Sequence, residues 1–240
     1  MTRRNRESGV TLIELLIAVT LVALLSVGML YAMRVGLNAM DRSNARLMQN
    51  RRVASVEHIL EQEVANIMPV TALCANESGP VKAISFFQGE TSTMRFVSAF
   101  TLHEGARGNP TMLEFQVIPG ENEEGVRLVV NEVLYSGPQA LGATCLGSPP
   151  DGSGPIFRKV EIGPNSFVLA DKLAFCHLSF RETQQPPRPP QWVVHWKQPI
   201  LPEAIRIEMA PLDPNASRLN LITLTIPIHV TRWPMERYDF

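Results

Sequence analysis

The sequence lacks both a surplus of charge and the motifs of common enzymes. Its 240 residues contain 22 Lys and Arg against 23 Asp and Glu, which leaves a net charge of −1. Without a basic surplus, there is no global electrostatic case for binding nucleic acid. No GxSxG, HExxH, phosphate-loop or dinucleotide-binding pattern occurs in it. We therefore expect no enzymatic activity, no cofactor and no nucleic-acid partner.

Residues that could bind metal are also few and poorly spaced. None of the three cysteines lies in a C-x-x-C motif, so the sequence gives no support for a zinc-ribbon site or a thioredoxin-like redox site. The five histidines show no ligand spacing to one another, and we interpret His195 as a structural residue of a strand. The turns at Asp151 and Asp213 lack the regular oxygen spacing of a calcium loop. We predict no metal site.

A long apolar run stands near the N-terminus. The 19 residues 15–33 carry no charge, and a helix of about that length just spans a bilayer core of ~30 Å. We predict a transmembrane helix over about 12–33. Arg3, Arg4 and Arg6 precede it, so the positive-inside rule places the N-terminus in the cytoplasm and the rest of the chain across the membrane.

Two ordinary explanations of this run fit less well. A secretory signal peptide has a shorter apolar region and a small-residue cleavage site after it, and the chain instead continues YAMRVGLNAMDR. A plain signal anchor explains the arginines but not Glu14, which lies beside the run. An ionisable group within the hydrocarbon costs on the order of ~2.5 kcal/mol or more and requires a partner.

A cut between Gly9 and Val10 would supply that partner. Val10 would become the first residue with a free amine, and Glu14 lies four residues later, one helical turn away on the same face. The ammonium and the carboxylate could then neutralise each other, within one chain or between neighbouring chains.

The stretch Gly9-Val10-Thr11-Leu12-Ile13-Glu14 resembles the prepilin signal of type IV pilins and type II secretion pseudopilins. The resemblance implies a leader of residues 1–9, cleavage after Gly9 by a prepilin peptidase, methylation of Val10, and Glu14 as a carboxylate used in assembly. The first mature residue of the family is usually phenylalanine, whereas this chain has valine.

Beyond the apolar run the helix becomes amphipathic. Apolar residues recur mostly three, four or seven apart from Leu37 to Ile67, with charged residues such as Glu57, Glu61 and Glu63 between them. Pro69 cannot continue a helix. We predict one long helix over 10–68, with residues 34–68 as its amphipathic part.

The remaining residues, 69–240, change to short apolar runs broken by glycine, proline and asparagine. Several alternate between apolar and polar residues, as half-buried strands do. One helix followed by many strands predicts an α+β fold, with antiparallel sheets packed on the second half of the helix. Ten strands are predicted, at 83–87, 93–99, 112–118, 127–135, 157–161, 167–169, 173–180, 192–196, 204–209 and 221–230.

The stretch WVVHWKQPILPEAIRIEMAP resembles J-type minor pseudopilins of type II secretion and also W-type minor pilins of type IV pili. The J-type resemblance implies two antiparallel sheets against the helix and a position at the pseudopilus tip. It implies the I-type and K-type minor pseudopilins and the major pseudopilin as partners, with secreted substrates as further contacts. The implied location is the inner membrane, with a periplasmic domain and a role in protein transport.

A periplasmic domain permits a disulfide. We favour Cys74–Cys145 because both lie in loop-like segments, whereas Cys176 lies in a predicted strand; the residues leave other pairings open. Two other functions also remain open: a minor pilin of a type IV pilus, and a signal-anchored periplasmic enzyme or binding module. The module would require an uncleaved N-terminus and a polar pocket.

Overall fold

The computed structural model describes residues 11–76, 79–102, 106–147, 155–163, 166–182, 189–212 and 222–229. These residues contain two α-helices, α1 (Leu12–Ala65) and α2 (Pro138–Gly142), and a short 3-10 helix at Glu121–Glu123. The strands are β1 (Ile67–Met68), β2 (Thr71–Asn76), β3 (Gly79–Ser85), β4 (Gln88–Gly89), β5 (Thr93–Thr101), β6 (Ala106–Pro119), β7 (Val126–Leu134), β8 (Cys145–Gly147), β9 (Ile156–Phe157), β10 (Phe167–Glu182), β11 (Gln191–Val193), β12 (Ala204–Pro211) and β13 (Ile222–Pro227). The predicted α+β fold is confirmed.

The chain divides into two compact units, and the boundary falls within α1. The first unit ends at Arg51 and the second begins at Arg52. The described part of the first unit is helical from Leu12 onward. The second unit contains the end of α1 and all of the described strands. Its main sheet has nine strands on the path β1-β5-β6-β7-β10-β12-β13, with β4 beside β5 and β11 beside β10. Its strand pairs are antiparallel.

The main sheet carries a core on each face, because successive residues of a strand point to opposite sides. On β5, Phe96 belongs to a core with Leu60 and Val64 of α1, whereas the next residue, Val97, belongs to another. That other core also contains Ala72 of β2, Phe86, and Leu141 of α2. The second unit therefore has three layers, with the sheet in the middle.

This layering differs from the pair of sheets against the helix that the resemblance implied. The nine-stranded sheet packs against the end of α1. The smaller sheets, β2–β3 and β8–β9, have two strands each, and residues from both pack into the core on the opposite face.

The helix ends earlier than predicted, at Ala65 instead of residue 68. Ile67 and Met68 pair with Ser98 and Val97 at the edge of the sheet. The carbonyl of Asn66 accepts a hydrogen bond from the Ala99 amide at 2.9 Å. The sheet edge thus offers backbone partners to residues whose apolar pattern alone would have continued the helix.

Strand boundaries also differ from the prediction. Segments 167–169 and 173–180 form the single strand β10, whose register shifts before Leu173. Lys172 adopts φ = 55° there, and its amide donates to the Asp171 carboxylate at 2.8 Å. The predicted strands at 157–161 and 192–196 shorten to β9 and β11, and strands β1, β2, β4 and β8 were not predicted.

Candidate functional site

The first turn of α1 is built by Thr11. Its carbonyl accepts hydrogen bonds from the amides of Glu14, at 3.1 Å, and Leu15, at 3.2 Å. Its hydroxyl also accepts from the Glu14 amide, at 3.4 Å. A threonine followed by a glutamate three residues later is the pattern of a capping box. Thr11 was not among the predicted site residues, although the T-x-x-E spacing is a signal in the sequence that could have identified it.

Glu14 therefore lies in the first helical turn, where a negative charge is favoured by the helix dipole. It is exposed within the chain. The neighbouring apolar side chains are exposed as well: Ile13 is 68% exposed and Leu15 is 61% exposed. The described chain thus provides neither a counter-charge nor an apolar cover for this turn.

This exposure extends along the whole segment Leu12–Asp41, which is long and apolar enough to cross a membrane. Its large apolar side chains are between 51% and 84% exposed, from Val35 to Leu12. The hydroxyls of Thr20 and Ser26 bond to carbonyls of their own helix, at 2.9 and 2.8 Å. An apolar surface of this extent requires cover from outside the chain.

Gly9 and Val10, the expected cleavage site and methylated residue, lie outside the described residues, as do Asp151 and Asp213. Among the residues that the structure describes, no group of three or more His, Cys, Asp or Glu could hold a metal ion. His195 is exposed and forms a backbone bridge with Glu90.

Two of the cysteines are joined, and they are the pair that the sequence favours. Cys74 of β2 and Cys145 of β8 form a disulfide, with their Cα atoms 5.5 Å apart and a sequence separation of 71 residues. It ties β8 to the layer that covers the sheet. Cys176 is free and buried, and burial raises the pKa of its thiol to about 12. That thiol therefore stays protonated at neutral pH.

A buried polar network lies on the sheet face opposite α1. Arg95 donates to Glu114 at 2.7 Å and to Gln88 at 2.8 Å. Asn131 donates to the other Glu114 oxygen at 3.2 Å. The Arg95 side chain is 1% exposed, so this cation is paired and inaccessible. The network holds β4, β5, β6 and β7 together and leaves no free reactive group among these residues.

One buried carboxylate differs from this pattern. Glu63, near the end of α1, is fully buried, although its place in the sequence is among the polar residues between apolar positions. Neither of its carboxylate oxygens has a hydrogen-bond partner among the residues that the structure describes. Glu63 is three residues after Leu60 and four before Ile67, which puts it on the apolar stripe. That spacing is the signal that could have found it.

Comparison with known families adds one finding. Residues 4–30 match the family described as Prokaryotic N-terminal methylation motif. No curated protein matches the chain. The matched residues include Gly9, Val10 and Glu14 and extend well into α1. This motif is a type IV pilin-like signal, and it supports processing by a prepilin peptidase, methylation and assembly with other pilin-like proteins.

Proposed function

We propose that this chain is a minor pseudopilin of type II secretion, assembled at or near the tip of a pseudopilus. The observation that supports this most directly is the methylation motif. It lies at the start of an exposed apolar helix, which leads into a domain of antiparallel β-sheet. In this role the protein catalyses no reaction itself and needs no cofactor. It supports protein export through its contacts with other pseudopilins.

Processing would place two charges at the start of α1. Cleavage after Gly9 leaves the methylated amine of Val10 directly before Thr11, the residue that caps the helix. A cation at a helix N-terminus is disfavoured by the dipole, whereas an anion there is favoured. The carboxylate of Glu14 would therefore offset the new amine, either in its own chain or in a neighbour. That pairing would set the register between subunits.

The residues behind the J-type resemblance form a connected structural unit. The indole nitrogen of Trp196 donates to the Ile200 carbonyl at 2.7 Å. The chain then passes through the buried Pro202 into β12, where Ile205 and Ile207 are completely buried. This supports the proposal because the tryptophan and the later apolar residues, which the resemblance rests on, belong to one core.

In the proposed topology the leader faces the cytoplasm, α1 crosses the inner membrane and the β domain lies in the periplasm. The disulfide Cys74–Cys145 fits an oxidising compartment. The expected partners are the prepilin peptidase, the major pseudopilin and the I-type and K-type minor pseudopilins. Secreted substrates are a further contact.

The test is mass spectrometry of the protein purified from membranes of its own host, combined with identification of cross-linked partners. We expect an N-methylated Val10 as the first residue and the I-type and K-type pseudopilins as partners. Recovery of pilus-retraction and pilus-assembly proteins instead would assign the chain to a type IV pilus.

A matched pair of variants controls for processing. Gly9→Val should accumulate with its leader attached, whereas Ser8→Ala, one residue earlier, should be processed normally. A wild-type N-terminus that still contains Arg3 to Gly9, in cells with an active prepilin peptidase, would overturn the proposal. The protein would then be a signal-anchored module.

A further inference from the structure

The end of α1 joins the sheet through a contact that contains an unpaired carboxylate. Leu60 and Val64 on either side of Glu63 are completely buried in the same core as Phe96 and Leu113. Glu63 is equally inaccessible, and in the described part of the chain both of its side-chain oxygens lack a hydrogen-bond partner. An ionised carboxylate without a partner in such a place is strongly disfavoured.

The neighbouring strands do not supply a compensating charge. From β5, the Ser98 hydroxyl donates to the backbone carbonyl of Glu63 at 3.3 Å and accepts from the Phe100 amide at 3.1 Å. From β7, the nearby group is Glu132, which has the same charge and accepts from the Leu102 amide at 3.1 Å. Within the described residues, no Lys, Arg or His forms an ion pair with Glu63.

The other residues considered around Glu63 are either apolar or exposed, so they do not compensate its charge. The residues of β6 that share this face include Leu113 and Phe115, which are apolar. On α1 itself, His58 and Glu61 are exposed. Burial raises the pKa of Glu63 to about 7. The nearby Ser98 hydroxyl, which donates to the Glu63 backbone carbonyl and not to its carboxylate, offsets only part of this rise, and the like charge of Glu132 adds to it. The protonated acid therefore predominates below neutral pH.

We propose that Glu63 is a proton-controlled clasp, which holds the end of α1 on the sheet when protonated and weakens that contact when ionised. The folded state binds this proton more tightly than the unfolded chain does. Stability is therefore complete below the unfolded pKa of 4.5, falls as the pH rises, and reaches its lower level above about 7. The sensitive window is pH 4.5–7.

The clasp acts inside the second unit, near the end of the helix, since Glu63 lies two residues before the last residue of α1. It does not depend on the type of fibre or on the processing of the N-terminus. It goes beyond the proposed function because it gives the domain a response to the pH of its surroundings. Loss of the clasp in an experiment would leave the assembly proposal unaffected.

The experiment is urea unfolding of the full chain in detergent micelles from pH 4.5 to 8, followed by tryptophan fluorescence. Trp196 reports on the relevant core because it belongs to the same cluster as Leu60 and Val64. For a shift from 4.5 to about 7, the unfolding equilibrium constant should rise by roughly 150-fold between pH 4.5 and 8 from this group. Glu63→Gln should remove that rise.

Glu61→Gln is the matched control, because Glu61 is exposed on the same helix two residues away. It should keep the pH dependence of the wild type. Parallel curves for wild type and Glu63→Gln would overturn the proposal. A second variant, Glu132→Gln, should move the midpoint of the fall to lower pH, because it removes the like charge that raises the pKa of Glu63.

Amide hydrogen exchange separates a clasp from a general loss of stability. Corrected for intrinsic rates, exchange at residues 60–65 should accelerate above pH 7 more than exchange in β5 and β6. Uniform acceleration over both regions would contradict the clasp. If Glu63→Gln does not fold, carboxyl carbon NMR of the wild type decides the matter, since titration of Glu63 below pH 5 would also overturn the proposal.

Discussion

The two ends of α1 differ in whether their apolar and acidic side chains are exposed or buried. In Leu12–Asp41 the apolar side chains are exposed, and the single carboxylate of the first turn, Glu14, is exposed with them. Near the other end, Leu60 and Val64 are completely buried, and so is the carboxylate of Glu63. The first end must be completed by a membrane or by other chains, whereas the second is completed by its own sheet.

This difference shows that the role of a glutamate on an apolar helix depends on what surrounds it. Glu14 lies where its partner must come from outside the described chain, and this fits a role in assembly. Glu63 lies where the fold itself excludes water, and this fits a role in controlling a contact inside the domain. The two residues should therefore respond to substitution in different assays.

The largest expected effect is on assembly. Glu14→Ala should abolish incorporation into the fibre, because it leaves the new amine of Val10 without its counter-charge. Unfolding of the β domain should remain unchanged, since Glu14 lies in the first unit. Cross-linking in the host and urea unfolding of the purified chain measure the two outcomes. Normal fibre incorporation of Glu14→Ala would show that the carboxylate is dispensable.

Reduction of Cys74–Cys145 should have the next largest effect, and only on the second unit. The bond closes a sequence separation of 71 residues, and in the chain-entropy description such a loop contributes about 4 kcal/mol. Urea unfolding with and without dithiothreitol measures the loss. The double variant Cys74→Ala/Cys145→Ala is the control and should not respond to the reductant. A midpoint that dithiothreitol leaves unchanged in the wild type would contradict this prediction.

A pair of leucine substitutions tests the comparison directly. Leu60 is completely buried and Leu25 is 73% exposed on the same helix. Leu60→Ala should destabilise the β domain by about 3 kcal/mol through lost contacts and a cavity. Leu25→Ala should leave it unchanged. Tryptophan fluorescence in urea measures both variants, and equal destabilisation by the two would mean that the ends of the helix are not independent.

Several features followed from local sequence. The uncharged run at 15–33, the preceding arginines and the glycine–glutamate spacing predict a methylated, membrane-inserted helix, and the family match over residues 4–30 supports this prediction. The alternation of apolar and polar residues predicts strands such as β12 and β13, which the structure contains. These features depend on neighbours within a few residues, so the sequence alone is sufficient to find them.

Tertiary structure decided the rest, because those features depend on groups that are distant in sequence. Ile67 leaves the helical pattern because β5 offers backbone partners. Cys74 meets Cys145 because β2 and β8 pack side by side over the sheet. Glu63 is buried because that face of α1 packs into the core of the main sheet. Periodicity shows which residues share a face, but only the folded chain decides what covers it.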